Sequence, residues 1–520
     1  MRPQGTPDRA RYATSLVAVL CILCSVSTAV AHGFGRRYDL PIPLSLYAVG
    51  AAAAVALSFV AIGVFTHGAS RRLTYARLNL LATRLGQSLA HPRLLLALQL
   101  GSVGLFVLLI LTGLFGFQHP ERNLTPTLVW VLWWVGLAYV SALLGNLWTL
   151  INPWKVLFGW AEALYCRLIP GATLARNWPY PKALGAWPGV GLFLLFAWVE
   201  LVFKDAPFPA ILAKLAILYS EITWMGMFLF GKEVWLRYGE AFSLAFGLLA
   251  RFAPMEVRVL DTGVCHTCRL DCRSSDGLCV DCYACFERAE ATQREWNLRP
   301  YAVGLMRYEP VAVADMVFVL VLLATVTFDG FMATPLWANM ESTLERLLPH
   351  VGNAQHTMIS TLGFLLFPIL FLAVYIMVSV LMALVSGGRY AGATMARVFA
   401  FTLVPIAIAY HMAHYLSFLL IEGQRIIPLA SDPFGFGWDL LGTVDYQLNI
   451  GIVKPQFSWY SAVITIVIGH IMAVYLAHLV ALRLFCDRAL ARRSQYPMLV
   501  LMVGYTMLSL WILAQPILDG

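Results

Sequence analysis

Charge is what this sequence has least of: Asp, Glu, Lys and Arg make up 12% of its 520 residues, against about 25% in an ordinary soluble chain. That shortage excludes a soluble globular enzyme of this length. Low-complexity tracts, internal repeats and long flexible linkers are missing too, which excludes a disordered or solenoid protein. There is no G-x-S-x-G elbow and no H-E-x-x-H pair, so neither a serine-hydrolase nucleophile nor a zinc-protease helix can be assigned. The formal net charge of +8 invites a nucleic-acid reading. The basic residues, however, stand in short loops between apolar runs, where membrane topology accounts for them. No nucleic-acid partner is expected.

What the sequence does have is apolar residues, 60% of the total, gathered into runs of about 20, the length that crosses a bilayer as a helix. Ten spans are expected, near 43–66, 94–117, 126–150, 184–203, 210–230, 311–334, 357–385, 398–421, 458–484 and 497–517. The fold class is therefore all-α, a polytopic membrane helix bundle with a cysteine-rich loop, and lipid is its first partner. Ahead of the spans stand Arg2, Arg9 and Arg11, an apolar run from Leu16 to Val26, and Ala29-Val30-Ala31. A basic start, a short apolar core and an A-x-A site read as a signal peptide over 1–31; the alternative is an uncleaved signal anchor.

Loop charge gives the orientation. With His32 outside, the inside segments hold 25 Lys and Arg residues and the outside segments 7, the asymmetry of the positive-inside rule. The expected place is a bacterial-type inner membrane, with both mature termini periplasmic and the 231–310 loop cytoplasmic. The organisation is then a signal peptide at 1–31, spans one to five in 32–230, the loop at 231–310, and spans six to ten in 311–520. Within the loop, 239–254 reads as an amphipathic helix lying on the inner membrane surface.

Ionisable residues inside lipid mark sites or pathways. The eighth span holds His411 and His414, on one helix face, and the ninth holds His470 and His478. Glu200, Glu221 and Asp329 fall in the outer half or middle of their spans. Histidine nitrogens with carboxylates suit a divalent metal such as zinc, so His411, His414 and His470 with Asp329 or Glu221 are expected to hold an ion. Structural packing, a Glu221–Lys214 ion pair included, competes with that reading. So does a b-type heme between His411 or His414 and His470. Cleavage after Ala31 would expose His32 as an N-terminal amine and imidazole suited to copper, with His119, His350 or His356 as a further ligand.

The loop also holds Cys265, Cys268, Cys272, Cys279, Cys282 and Cys285, with His266 beside them. Short-spaced thiols in a reducing compartment point to a metal, not disulfides. One zinc on four thiolates, two ions, or an iron–sulfur cluster all satisfy the spacing. Cys166 and Cys486 read as plain thiols, and Cys21 and Cys24 leave with the signal peptide.

The segments His32-Gly33-Phe34-Gly35-Arg36-Arg37-Tyr38-Asp39-Leu40-Pro41-Ile42-Pro43, Gly239–Pro254 and Leu403–Tyr415 together resemble the multi-pass membrane proteins labelled fenitrothion hydrolase. The resemblance runs along most of the mature chain. It implies hydrolysis of an apolar organophosphorus triester with a nitrophenol-type leaving group, and it carries over no catalytic residues. The residues allow it through a metal that lowers the pKa of a water and polarises the phosphoryl group. On that reading His411, His414, His470, Asp329 and Glu221 are the catalytic set. The alternatives are a copper- or zinc-handling membrane protein and a heme- or cluster-bearing electron-transfer subunit. The reading leaves room for a second membrane subunit as a partner that completes the site.

Overall fold

The computed structural model describes residues 42–65, 75–268, 270, 272, 279–306, 309–348, 354–485 and 487–515, and the main-chain pairing of His32–Gly33 with Arg36–Arg37. The expected signal peptide, the side chain of His32, His350 and Cys486 lie outside the described residues. So does the copper reading.

Among the described residues, nine helices are long and apolar enough to cross a membrane. The chain is an all-α polytopic bundle, built from α1 (Leu44–Phe65), α2 (Pro92–Phe115), α3 (Leu124–Leu143), α5 (Pro209–Phe230), α7 (Val313–Met332), α8 (Ala354–Val385), α9 (Val404–Glu422), α10 (Pro455–Leu484) and α11 (Arg488–Leu513). Helix α9 is the middle of a longer run, Gly392–Ser431. The run expected to cross at 184–203 is shorter than that. Its helix, α4, covers Trp187–Leu201, about 22 Å at 1.5 Å per residue, because Pro188 sits in its first turn.

A second short helix, α6 (Ala241–Ala250), corrects the surface-helix expectation. Seven of its ten residues are buried, and it packs against α3 and α4 in the bundle interior. The physical reason is composition. Ser243 is the helix's single polar residue, so it has no polar stripe to turn toward water. Its start is fixed by Glu240, fully buried, whose carboxylate accepts from the backbone N–H groups of Phe242 (2.9 Å) and Ser243 (2.7 Å) and from Tyr219 Oη (2.6 Å). A charged cap buried at this depth is tolerable because its lone pairs are taken.

The helices meet where side chains are small. A Cβ placed on Gly469 of α10 would stand 2.3 Å from the Ala409 Cβ of α9 and 2.8 Å from the Pro405 carbonyl oxygen. The two backbones therefore approach closely at that crossing, as packed membrane helices do. Helix α7 runs through the centre of the bundle, with most of its residues buried.

The 231–310 loop and the short segment at Leu78–Asn79 join in a small sheet that the sequence did not announce. Its strands are β1 (Leu78–Asn79), β2 (Met255–Val259), β3 (Cys279–Val280) and β4 (Arg294–Leu298), in the antiparallel order β1-β4-β2-β3. Alternation along β2 puts Val257 and Val259 on one face and Glu256 and Arg258 on the other. Both faces are covered. Glu256 is buried between Arg258 (2.9 Å) and Arg299 (2.9 Å), with Tyr75 Oη donating to it at 2.6 Å. Arg299 also reaches Asp281 (3.1 Å), and so ties the sheet to the cysteine segment.

Candidate polar centre and cysteine cluster

Asp329 lies sixteen residues into α7, about 24 Å along its axis, at the bundle end away from the cysteine segment that precedes that helix. Neighbouring α9 brings two side chains to it. His414 Nε2 is 2.9 Å from Asp329 Oδ2, and Tyr415 Oη donates to the same oxygen at 2.5 Å. The pair is partly exposed, with His414 22% and Asp329 24% accessible by side chain. An Asp bound to one ring nitrogen fixes the tautomer and leaves the other nitrogen to accept a proton.

His411 stands one turn earlier on the same face. It is enclosed by Trp134, Tyr139 and Tyr415, with ring centroids 6.0, 5.9 and 4.7 Å away. Trp134 belongs to a π-helical stretch, Thr127–Gly136, within α3, a geometry concentrated at functional sites. Tyr139 Oη donates to the Met412 carbonyl at 2.6 Å and so pins α9 against α3. Trp134, Glu200, Thr325, His411 and Tyr415 line a cavity of about 20 Å³, room for one water. His411 Nε2 is buried without a protein partner among the described residues, as a water-binding position requires.

The three histidines and either carboxylate expected to hold an ion are not gathered. Among the described residues, three or more ligand atoms within 4.8 Å of one another occur only in two cysteine sets and in Glu341–Glu345–His356. His470 is fully buried on α10, its Nδ1 against its own helix at the Ile466 carbonyl (2.8 Å) and its ring 5.9 Å from Tyr505. Glu221 is exposed on α5, and α5 packs on α2, not α9. His478 meets Gln495 (3.3 Å). His119 caps a 3₁₀ turn. What the structure brings together is narrower than expected: Asp329, His414 and Tyr415, with His411 and Glu200 at the adjoining cavity. Tyr415 went unassigned in the sequence, although its place four residues after His411 puts it on that face. Glu200 was marked there only as an intramembrane acid.

At the other end, the cysteines form a second site. The Sγ atoms of Cys265, Cys272, Cys279 and Cys285 all lie within 4.8 Å of one another, and so do those of Cys268, Cys272, Cys282 and Cys285. These thiols can hold a metal ion. His266 is exposed and belongs to neither set. The left-handed Asp281 (φ 57°) turns the chain between Cys279 and Cys282, a conformation Asp tolerates better than most residues. A hydrogen bond from Cys279 draws the Cys282 thiol down to about 5, while burial pushes Cys272 up to about 12. Lys155–Glu287 (2.7 Å) docks the segment on the helix Pro153–Leu168.

Fold and sites together define a multi-pass helical membrane protein with a partly exposed His–Asp–Tyr cluster in its helices and a cysteine cluster able to take a metal. No family model, curated protein or solved structure matches the chain, so its function is argued from the chemistry of these residues.

Proposed function

We propose that the chain is a membrane-embedded hydrolase of apolar phosphotriesters that activates water with the His414–Asp329 pair. The observation that carries this is the 2.9 Å contact between His414 Nε2 and Asp329 Oδ2; Tyr415, which donates to the same carboxylate, also lines the water-sized cavity. His414 takes a proton from a water as its oxygen bonds to phosphorus. The P–O bond to the nitrophenyl group breaks, and nitrophenolate leaves with the bonding pair. The products are a phosphodiester and nitrophenolate. Asp329 holds the imidazolium that forms, and Tyr415 holds Asp329. Because His411, His414, His470, Asp329 and Glu221 do not gather around one point, general-base chemistry is the reading these residues favour. The positive-inside count supports a periplasmic position for the centre and a cytosolic one for the cysteines. An apolar triester dissolved in the bilayer would approach sideways.

The test is hydrolysis of diethyl nitrophenyl phosphate in ¹⁸O-enriched water by membranes containing the chain. The expected result is one ¹⁸O atom in diethyl phosphate and none in nitrophenol. Release no faster than from membranes lacking the chain, or label in nitrophenol, would overturn the proposal. A second reading, metal handling, is favoured by Glu341, Glu345 and His356 gathering at the bundle end opposite the cysteines. It would show instead as zinc uptake into vesicles without hydrolysis.

A further inference from the structure

The two cysteine sets overlap in an informative way. Each has four thiols, and both contain Cys272 and Cys285. Cys265 and Cys279 belong to the first set alone, and Cys268 and Cys282 to the second alone. An ion bound to four thiolates at about 2.3 Å keeps its sulfurs about 3.8 Å apart, the edge of a regular tetrahedron. Cys272 Sγ and Cys285 Sγ stand 3.7 Å apart, close to that edge. The two sets share one pair of sulfurs, as two tetrahedra with a common edge would.

We infer that the cysteine segment holds two divalent ions of the zinc type in a single M₂Cys₆ centre, bridged by Cys272 and Cys285. Cys265 and Cys279 complete one ion, and Cys268 and Cys282 complete the other.

Three observations separate this from the other arrangements the spacing allows. A single ion would use four thiols and strand two more inside the same cysteine core, where Cys265, Cys279, Cys282 and Cys285 are all buried. An iron–sulfur cluster places its irons between the cysteines and holds their sulfurs farther apart than a lone ion does, whereas each set here is confined to 4.8 Å. Two separate four-thiolate sites would need eight cysteines, and the segment has six. Charge agrees. Six thiolates and two divalent ions leave two negative charges, where two separate four-thiolate ions would leave four. Arg288 Nη2 stands 3.7 Å from the bridging Cys285 sulfur. The arrangement is independent of the hydrolytic proposal and survives its failure.

The full chain, purified in detergent under reducing conditions, is analysed for zinc per chain. Two ions per chain are expected in the wild type, at least one in Cys265→Ser, and none in Cys272→Ser. Because Cys272→Ser can also unfold the segment, the wild-type chain is titrated with cobalt after zinc removal. A shared thiolate couples the two cobalt spins, so the paramagnetic resonance signal should rise over the first equivalent and fall over the second. One zinc per chain, or a cobalt signal that climbs steadily to saturation, overturns the inference.

Discussion

Glu256→Ala should lower the stability of the loop unit by about 3–5 kcal/mol, the range for removing one partner of a buried ion pair. Glu256 is 1% exposed, and Arg299 beside it is 4% exposed. Without the carboxylate, Arg299 and Arg258 would keep their charge in a buried face of the sheet, which costs far more than the lost attraction. The effect extends past β2 because Arg299 also holds Asp281, the left-handed residue between two thiols of the cluster. Proteolysis of the loop should become faster, and zinc retention during dialysis weaker, at unchanged levels of membrane-inserted protein. Glu256→Gln keeps shape and part of the hydrogen bonding, and should fall between. Loop stability unchanged in Glu256→Ala would mean that the arginines find water on the polar face of β2.

Asp329→Asn should reduce turnover by on the order of 10²–10⁴-fold, the span general-base catalysis supplies. The amide can still bond His414, but its NH₂ group can hold the ring in the wrong tautomer, and it carries no charge to balance the imidazolium. Tyr415 would lose a charged acceptor at the same time. KM should change much less than kcat, because the substituted atom faces the base, not the substrate. Equal losses in kcat and in protein abundance would instead assign Asp329 to packing.

Much of the bundle was legible because membrane spans are fixed by run length and loop charge, which are local properties. The short helices were not. The run at Trp187–Leu201 looks long enough until Pro188 is seen to start it late. Ala241–Ala250 has helical spacing but no polar face, and only its packing against α3 and α4 shows that it belongs inside. The sheet escaped notice because strands such as Leu78–Asn79 and Cys279–Val280 are two residues long and acquire meaning only through partners distant in sequence. The cysteines announced a metal site by spacing alone, yet which thiols are shared depends on distances across the turn. The intramembrane histidines and acids were visible as costly residues. Their pairing was not, since His414 and Asp329 are 85 positions apart and helix packing order is not written in local sequence. For the same reason His470 and Glu221 were grouped with residues they do not meet.

The most direct test compares nitrophenolate release by liposomes carrying equal amounts of wild-type, His414→Ala and His470→Ala protein. The account predicts activity lost in His414→Ala and retained in His470→Ala, whose ring is occupied by its own helix and by Tyr505. Equal activity in all three, or loss with His470→Ala and not with His414→Ala, would contradict it.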